Sequence, residues 1–187
     1  TFVEGDIRDM ILVNRIFSEQ KIEHLIHLAA IPFVMTSIEN PQWTHETNVN
    51  GTLNLLEAAR KNELKSFVFA GSCAVYGNTD KIPVPETTPL NPISPYALQK
   101  MVAEQYLKLY SELYGLNSVS FRFFNIFGER QNPDSPYSGV ISRFFKDIRE
   151  KNQVTVYGDG EQTRDFVYAG DLAGIICDTI NNRTFYN

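Results

Sequence analysis

The sequence predicts an α/β protein built on a parallel sheet, and three observations carry that expectation. Short apolar runs such as "HLIHLAA" and "SFVFAGS" alternate with longer amphipathic segments, the rhythm of strands joined by helical crossovers. The chain has 187 residues, 43% of them hydrophobic and 12% aromatic, which is ample for one buried core. Pro41 and Gly115 stand where long helices should begin and end.

Taken in order, "TFVEGD" (Thr1 to Asp6) reads as the end of a strand, and "DMILVNRIFSEQ" repeats apolar positions at helical spacing. "HLIHLAA" (His24 to Ala30) is the next buried strand. A long helix follows Pro41 and runs through "NVNGTLNLLEAARKN"; "SFVFAGS" is a strand; "SPYALQKMVAEQYLKLYSELYG" is a helix closed by Gly115. "NSVSFRFFN" is a further strand. After a Pro-rich loop (Gln131 to Ser138) come a helix near Gly139 to Lys151, a short "VTVYG" strand, "RDFVYAGD", and a last helix from Asp171. A strand is expected to begin at the terminal "TFYN". A doubly wound nucleotide fold places a Gly-rich turn after its first strand, and no G-x-G-x-x-G occurs here. The chain therefore reads as a piece of a longer protein, with roughly 60 to 70 residues expected before Thr1.

Composition narrows the function classes. A formal charge of −5 argues against a broad nucleic-acid or anionic-lipid surface, so an anionic ligand needs a local cationic pocket. Two cysteines, Cys73 and Cys177, make neither a disulfide framework nor a zinc spacing, which suits a reducing cytosol. No run of about 18 apolar residues suggests a membrane span. His24 and His27 would fall on opposite faces of a strand, so no metal site is expected of them.

Chemistry is carried by "GSCAVYG" and "SPYALQK". Ser72 ends an apolar strand, at the edge where open α/β sheets bind ligands. Tyr96 and Lys100 are four residues apart at the start of a helix and share a face. A phenol of ordinary pKa about 10 can act as a base near neutrality only if that value is lowered, and an ammonium one turn away favours the phenolate. One such spacing alone is weak evidence in a chain with nine tyrosines.

The corroboration is that "GDIRD", "HLAA", "NVNGT", "GSCAVYG", "SPYALQK", "RFFNIFG", "RQNPDSPYSGVISRF" and "YGDGEQTRDFVYAGDLA" occur in one order. Together they resemble the extended short-chain dehydrogenase/reductases, and within them the nucleotide-sugar epimerases. The resemblance implies a Rossmann-like doubly wound domain over residues 1–130. Residues 131–187 would form part of a smaller substrate-binding region, with segments returning to the first domain. The implied cofactor is NAD, and Ser72, Tyr96 and Lys100 would carry proton and hydride transfer at a sugar carbon. Asp6 and Ile7 match the pair at the adenine, and Leu28, Ala29 and Ala30 the strand end along the dinucleotide. Thr47 stands where the family often has a cofactor-contacting Asn. Phe124 matches a residue beside the nicotinamide, Asn125 one on the sugar diphosphate, Arg164 one on the nucleotide phosphates, and Tyr157 one near the base pocket. Relatives that eliminate water carry an Asp-Glu pair after the serine, where this chain has Cys73 and Ala74. The resemblance thus implies a UDP-hexose 4-epimerase with a UDP-sugar substrate. It also implies a homodimer through a four-helix bundle of the helices Pro41 to Asn62 and Ser94 to Tyr114. A 4-ketoreductase, an epimerase at another carbon and a catalytically silent nucleotide-binding scaffold are the alternatives.

Overall fold

The computed structural model describes residues 1–135 and 138–182. Two compact units can be distinguished, one of Thr1–Phe123 with the chain from Thr179, the other of Phe124–Asp178.

In the first unit, helix α1 (Met10–Gln20) starts at Asp9, whose carboxylate accepts from the Leu12 N–H at 3.0 Å, and stops at Lys21 in the left-handed region. Val13 and Phe17, one turn apart, are its buried face. Strand β1 (His24–His27) is followed by α2 (Val34–Glu39) and then by one helical run in three parts: α3 (Pro41–His45), a π-helical turn (Glu46–Gly51) and α4 (Thr52–Lys61). Strand β2 (Ser66–Ser72) leads through a 3₁₀ turn (Cys73–Tyr76) and a long loop to α5 (Pro95–Tyr114) and β3 (Ser118–Phe123).

The strands lie in the order β1-β2-β3, all parallel, with His27 opposite Phe69 and Ser72 opposite Phe123. Strand β2 is central and buried along its length except for half-buried Ala70, which explains its unbroken apolar run. Parallel neighbours need a crossover, supplied by α2 to α4 between β1 and β2 and by α5 between β2 and β3. The core joins Val13 and Phe17 of α1, Leu55 and Leu56 of α4, Phe67 and Phe69 of β2, and Ala103 and Leu107 of α5. Burying one such large side chain contributes about 1.5 to 3 kcal/mol.

The second unit holds β4 (Asn125–Phe127), α6 (Val140–Lys151), β5 (Phe166–Tyr168) and most of α7 (Ala169–Asn181). Strands β4 and β5 pair in parallel.

Several expected boundaries move. Residues 1–6 and "VTVYG" are not strands, because among the described residues no neighbouring strand offers either a ladder; Val156 and Tyr157 stand exposed. "HLIHLAA" is a strand only to His27. "NSVSFRFFN" breaks at Phe124, β3 staying with β2 while Asn125 pairs with Phe166. Helix α7 begins at Ala169, not Asp171, and α2 was not expected at all. The strand expected at "TFYN" lies outside the described residues.

Candidate active site

Chain direction in a parallel sheet sends the C-terminal ends of β1 and β2 to one edge, and the reactive side chains of the first unit gather there. Ser72, the last residue of β2, is buried and caps the 3₁₀ turn, its hydroxyl accepting from the Ala74 N–H at 3.2 Å. Helix α5 begins beside it. Ser94 accepts from the Ala97 N–H at 3.1 Å and Pro95 takes the first helical position, so Tyr96 falls in the first turn and Lys100 one turn later. Helix α2 fixes that start, since Ser37 Oγ accepts from the Tyr96 N–H at 3.0 Å.

Tyr96 is 9% exposed and Lys100 4%. The lysine Nζ donates to the Ala70 carbonyl at 2.8 Å and lies 6.0 Å from the centre of the Tyr96 ring. No carboxylate forms an ion pair with it among the described residues, and burial pushes its pKa down to about 8. Burial also raises the Tyr96 phenol; the Ser72 hydroxyl beside it acts in the opposite sense, and a Cys73 thiolate would add to the rise. The net direction for Tyr96 is therefore upward, with burial its leading cause.

The loop between Ser72 and Tyr96 is fixed by one guanidinium. Arg122 on β3 pairs with Glu104 on α5 and donates to Tyr76 Oη at 2.8 Å and to the Glu86 carbonyl at 3.0 Å. Strand, helix, 3₁₀ turn and loop thus share one charge-assisted hub.

Asn48 is a functional candidate that sequence reasoning missed. The π turn buries it, where its amide accepts from the Ile31 N–H at 2.8 Å and donates to the Ile31 carbonyl at 3.1 Å and to Gln99 Oε1 at 2.8 Å. It clamps the segment after β1 to helix α5. The available signal was a polar residue at a core position of a helical pattern, with Val49, Thr52 and Leu55 buried around it. Neighbouring Thr47 is half-buried in the same turn.

The other expected residues divide by unit. Leu28 and Ala29 are exposed just past β1, with Ala30 half-buried. Asp6 is held by Arg8, whose N–H and guanidinium hydrogen bonds keep its carboxyl below the usual range. Ile7 packs against Gly51, where any Cβ would meet its Cδ1 at 2.6 Å, and Asn54 Nδ2 donates to its carbonyl at 3.0 Å. His24 bonds Ser66 and buried His27 bonds Thr52 Oγ1 at 2.9 Å. In the second unit Phe124 is half-buried, and Asn125 donates through its side chain to the Asp165 carbonyl at 2.9 Å. Exposed Arg164 donates to the Thr163 carbonyl, not to its neighbour Asp165, and Tyr157 is 80% exposed. The first unit thus brings Ser72, Tyr96 and Lys100 together, while Asn125 opens β4 and Arg164 lies just before β5.

This edge fits a dinucleotide: an uncompensated buried ammonium for ribose hydroxyls, a buried serine and phenol, and apolar Leu28 and Ala29 at the adjoining strand end. Among the described residues no three metal-ligating side chains cluster, and no helix is long and apolar enough to cross a membrane.

The sequence matches the NAD dependent epimerase/dehydratase family over residues 1–185. It is 46% identical over 173 residues to a Methanocaldococcus jannaschii protein that carries a provisional UDP-glucose 4-epimerase name, covering 92% of this chain and 56% of that one. Among solved structures, the UDP-N-acetylglucosamine 4-epimerase of Methanobrevibacter ruminantium in complex with UDP-N-acetylmuramic acid superposes with a TM-score of 0.91 at 36% identity, over 97% of this chain and 58% of that one. The Thermus thermophilus UDP-glucose 4-epimerase in complex with NAD gives 0.84 at 36% identity, over 95% and 59%. The chain therefore spans a little over half the length of these relatives.

Proposed function

The chain belongs to the NAD dependent epimerase/dehydratase family, and from that premise we propose that it carries the catalytic edge of a UDP-hexose 4-epimerase. The observation that supports this reading best is the meeting of Ser72, Tyr96 and Lys100 at one strand end, followed by Cys73 and Ala74 in place of an acid/base pair. Elimination of water would need that extra pair; exchange at one carbon does not. NAD, when bound, supplies the reversible hydride acceptor. Tyr96 takes the proton of the C4 hydroxyl and returns it, Ser72 hydrogen-bonds the same oxygen, and Lys100 supplies the positive charge that a buried phenolate requires. The 4-keto sugar turns over between the two half-reactions, and the returned hydrogen meets its other face.

In the first unit, Asp6 and Ile7 would seat the adenine, with Leu28, Ala29, Ala30 and Thr47 along the rest of the cofactor; the family pattern gives Phe124 a role at the nicotinamide. Asn125, Tyr157 and Arg164 would receive the nucleotide sugar, the arginine supplying the local positive charge an acidic chain needs. Residues 1–130 would form the partial NAD-binding domain, and 131–187 part of a substrate-binding region with segments returning to the first. Cys73 and Cys177, which are not joined in a disulfide, suit a cytoplasmic enzyme.

The test is incubation of the full-length, NAD-loaded protein with UDP-glucose, UDP-galactose and their N-acetyl forms in D₂O, with products resolved by NMR. Inverted product without deuterium on carbon is expected. Deuterium incorporation would sink the C4 mechanism, consumption of added NADH would make it a ketoreductase, and no turnover of any nucleotide sugar would leave a silent scaffold.

A further inference from the structure

Lys100 presents a problem of charge. An ammonium left without a carboxylate in an interior normally gives up its proton, and burial does pull this one down. Yet the proton-transfer reading needs it charged. Something other than a salt bridge has to hold both its charge and its direction.

The side chain nearest to doing so is Phe69. It lies on β2 three residues before Ser72, is 1% exposed, and presents its ring face to Lys100 Nζ at 4.8 Å from the ring centre. That is well inside the ~6 Å over which a ring quadrupole attracts a cation, whereas the Tyr96 ring sits at that limit. We propose that Phe69 is a positioning residue for the proton-transfer pair, its ring face holding the Lys100 ammonium in place and in its charged form. The inference rests on the reading of Tyr96 and Lys100 as that pair.

The geometry accounts for the three ammonium protons. One goes to the Ala70 carbonyl at 2.8 Å, the ring face accommodates a second, and a third is left for the phenol or a ribose hydroxyl. Phe69 is itself backed by His27, whose ring lies 5.5 Å away at 40° and is anchored on Thr52. Burial holds His27 near a pKa of about 3, so the backing ring stays neutral and adds no second positive charge behind the first. The titratable groups that face Lys100 are His27 from β1 and Tyr96 on its own helix; Glu104, one turn further along α5, is paired with Arg122 of β3. Neither the neutral His27 ring nor the Tyr96 phenol is an anion lying against the ammonium in the resting site.

Fluorination tests this directly in the full-length protein, because 4-fluoro- and 3,4,5-trifluorophenylalanine at position 69 keep the ring's shape while draining its face of negative potential. Two readouts are needed: the pKa of Lys100 from competitive acetylation across pH with mass spectrometry, which does not depend on turnover, and the alkaline limb of kcat. Both should step downward along the series, and Phe69→Leu should move them by about half to one pH unit, with kcat near pH 8 falling about twofold to fivefold. Phe67→Leu is the control. That phenylalanine is buried on the same strand and meets His27 edge-on at 6.1 Å, so its loss should cost comparable stability while Lys100 titrates as before. A Lys100 titration indifferent to fluorination, or shifted equally by Phe67→Leu, overturns the proposal. Full turnover in a parallel Tyr96→Phe variant would instead overturn the proton-pair reading, whatever happens at Phe69.

Discussion

Tyr96, Lys100 and Arg164 each hold chemistry that one substitution can isolate. Tyr96→Phe removes the phenolic oxygen and leaves ring and packing, so turnover should fall roughly 10² to 10⁴-fold while UDP-sugar binding, followed by calorimetry, persists. Lys100→Met should do the opposite to fold and function. The lysine pKa is about 8 in the folded protein against an ordinary 10.5, so below pH 8 folding carries the full cost of a buried ammonium, and that cost fades as pH rises toward 10.5. The methionine variant should thus be slower in turnover yet more resistant to urea at pH 7, with its advantage shrinking by pH 10. Equal stability gains at both pH values would contradict this. Arg164→Ala should weaken UDP-sugar binding by roughly one to two decades and leave NAD binding alone, since a charge-assisted bond to phosphate typically contributes about 1.5 to 3 kcal/mol. Unchanged UDP-sugar affinity would return Arg164 to the role of a surface cation.

Elements differed in how plainly the sequence announced them. Helix α5 was legible to the residue, because Ser94, Pro95 and Gly115 are local signals that act within one turn of the helix end. Strand β2 was legible because a central parallel strand is apolar on both faces. The failures share a cause. A strand exists only where another strand supplies its ladder, and "VTVYG" looks alike with or without one; the break at Phe124 likewise depends on Asn125 finding β5, forty residues away in sequence. The Ser72, Tyr96 and Lys100 set was readable as spacing, but the direction of the Tyr96 shift was not, because desolvation depends on what covers a group. The Arg122 hub is the element-scale contact that spacing could not reveal. Arg122→Met would leave Glu104, whose side chain is 13% exposed, without its partner, and should cost about 3 kcal/mol in urea unfolding. A loss below about 0.5 kcal/mol would mean the pair behaves as an ordinary surface bridge.

The whole molecule brings in surfaces that no single element explains. Helix α5 shows solvent a row of large apolar side chains, Leu98, Leu109 and Leu113, on the outside of an otherwise well-buried helix. In the homodimer that the family resemblance implies, these rows would meet in a four-helix bundle with the run from Pro41. Leu109→Glu in the full-length protein should then shift light-scattering mass from dimer toward monomer while circular dichroism stays unchanged; a monomeric parent protein would overturn the assembly. The π turn at Glu46–Gly51 sets a different kind of limit on the molecule. It holds Asn48 against Ile31 and Gln99 while leaving Leu55 and Leu56 of α4 facing the core. Each residue of an α-helix advances about 100°, so shortening this run by one residue would swing the downstream face by that angle and release either the clamp or the core. A point change at exposed Glu46 can be absorbed by solvent, but a lost codon cannot. In its hereditary behaviour the segment should accept spelling errors far more readily than omissions.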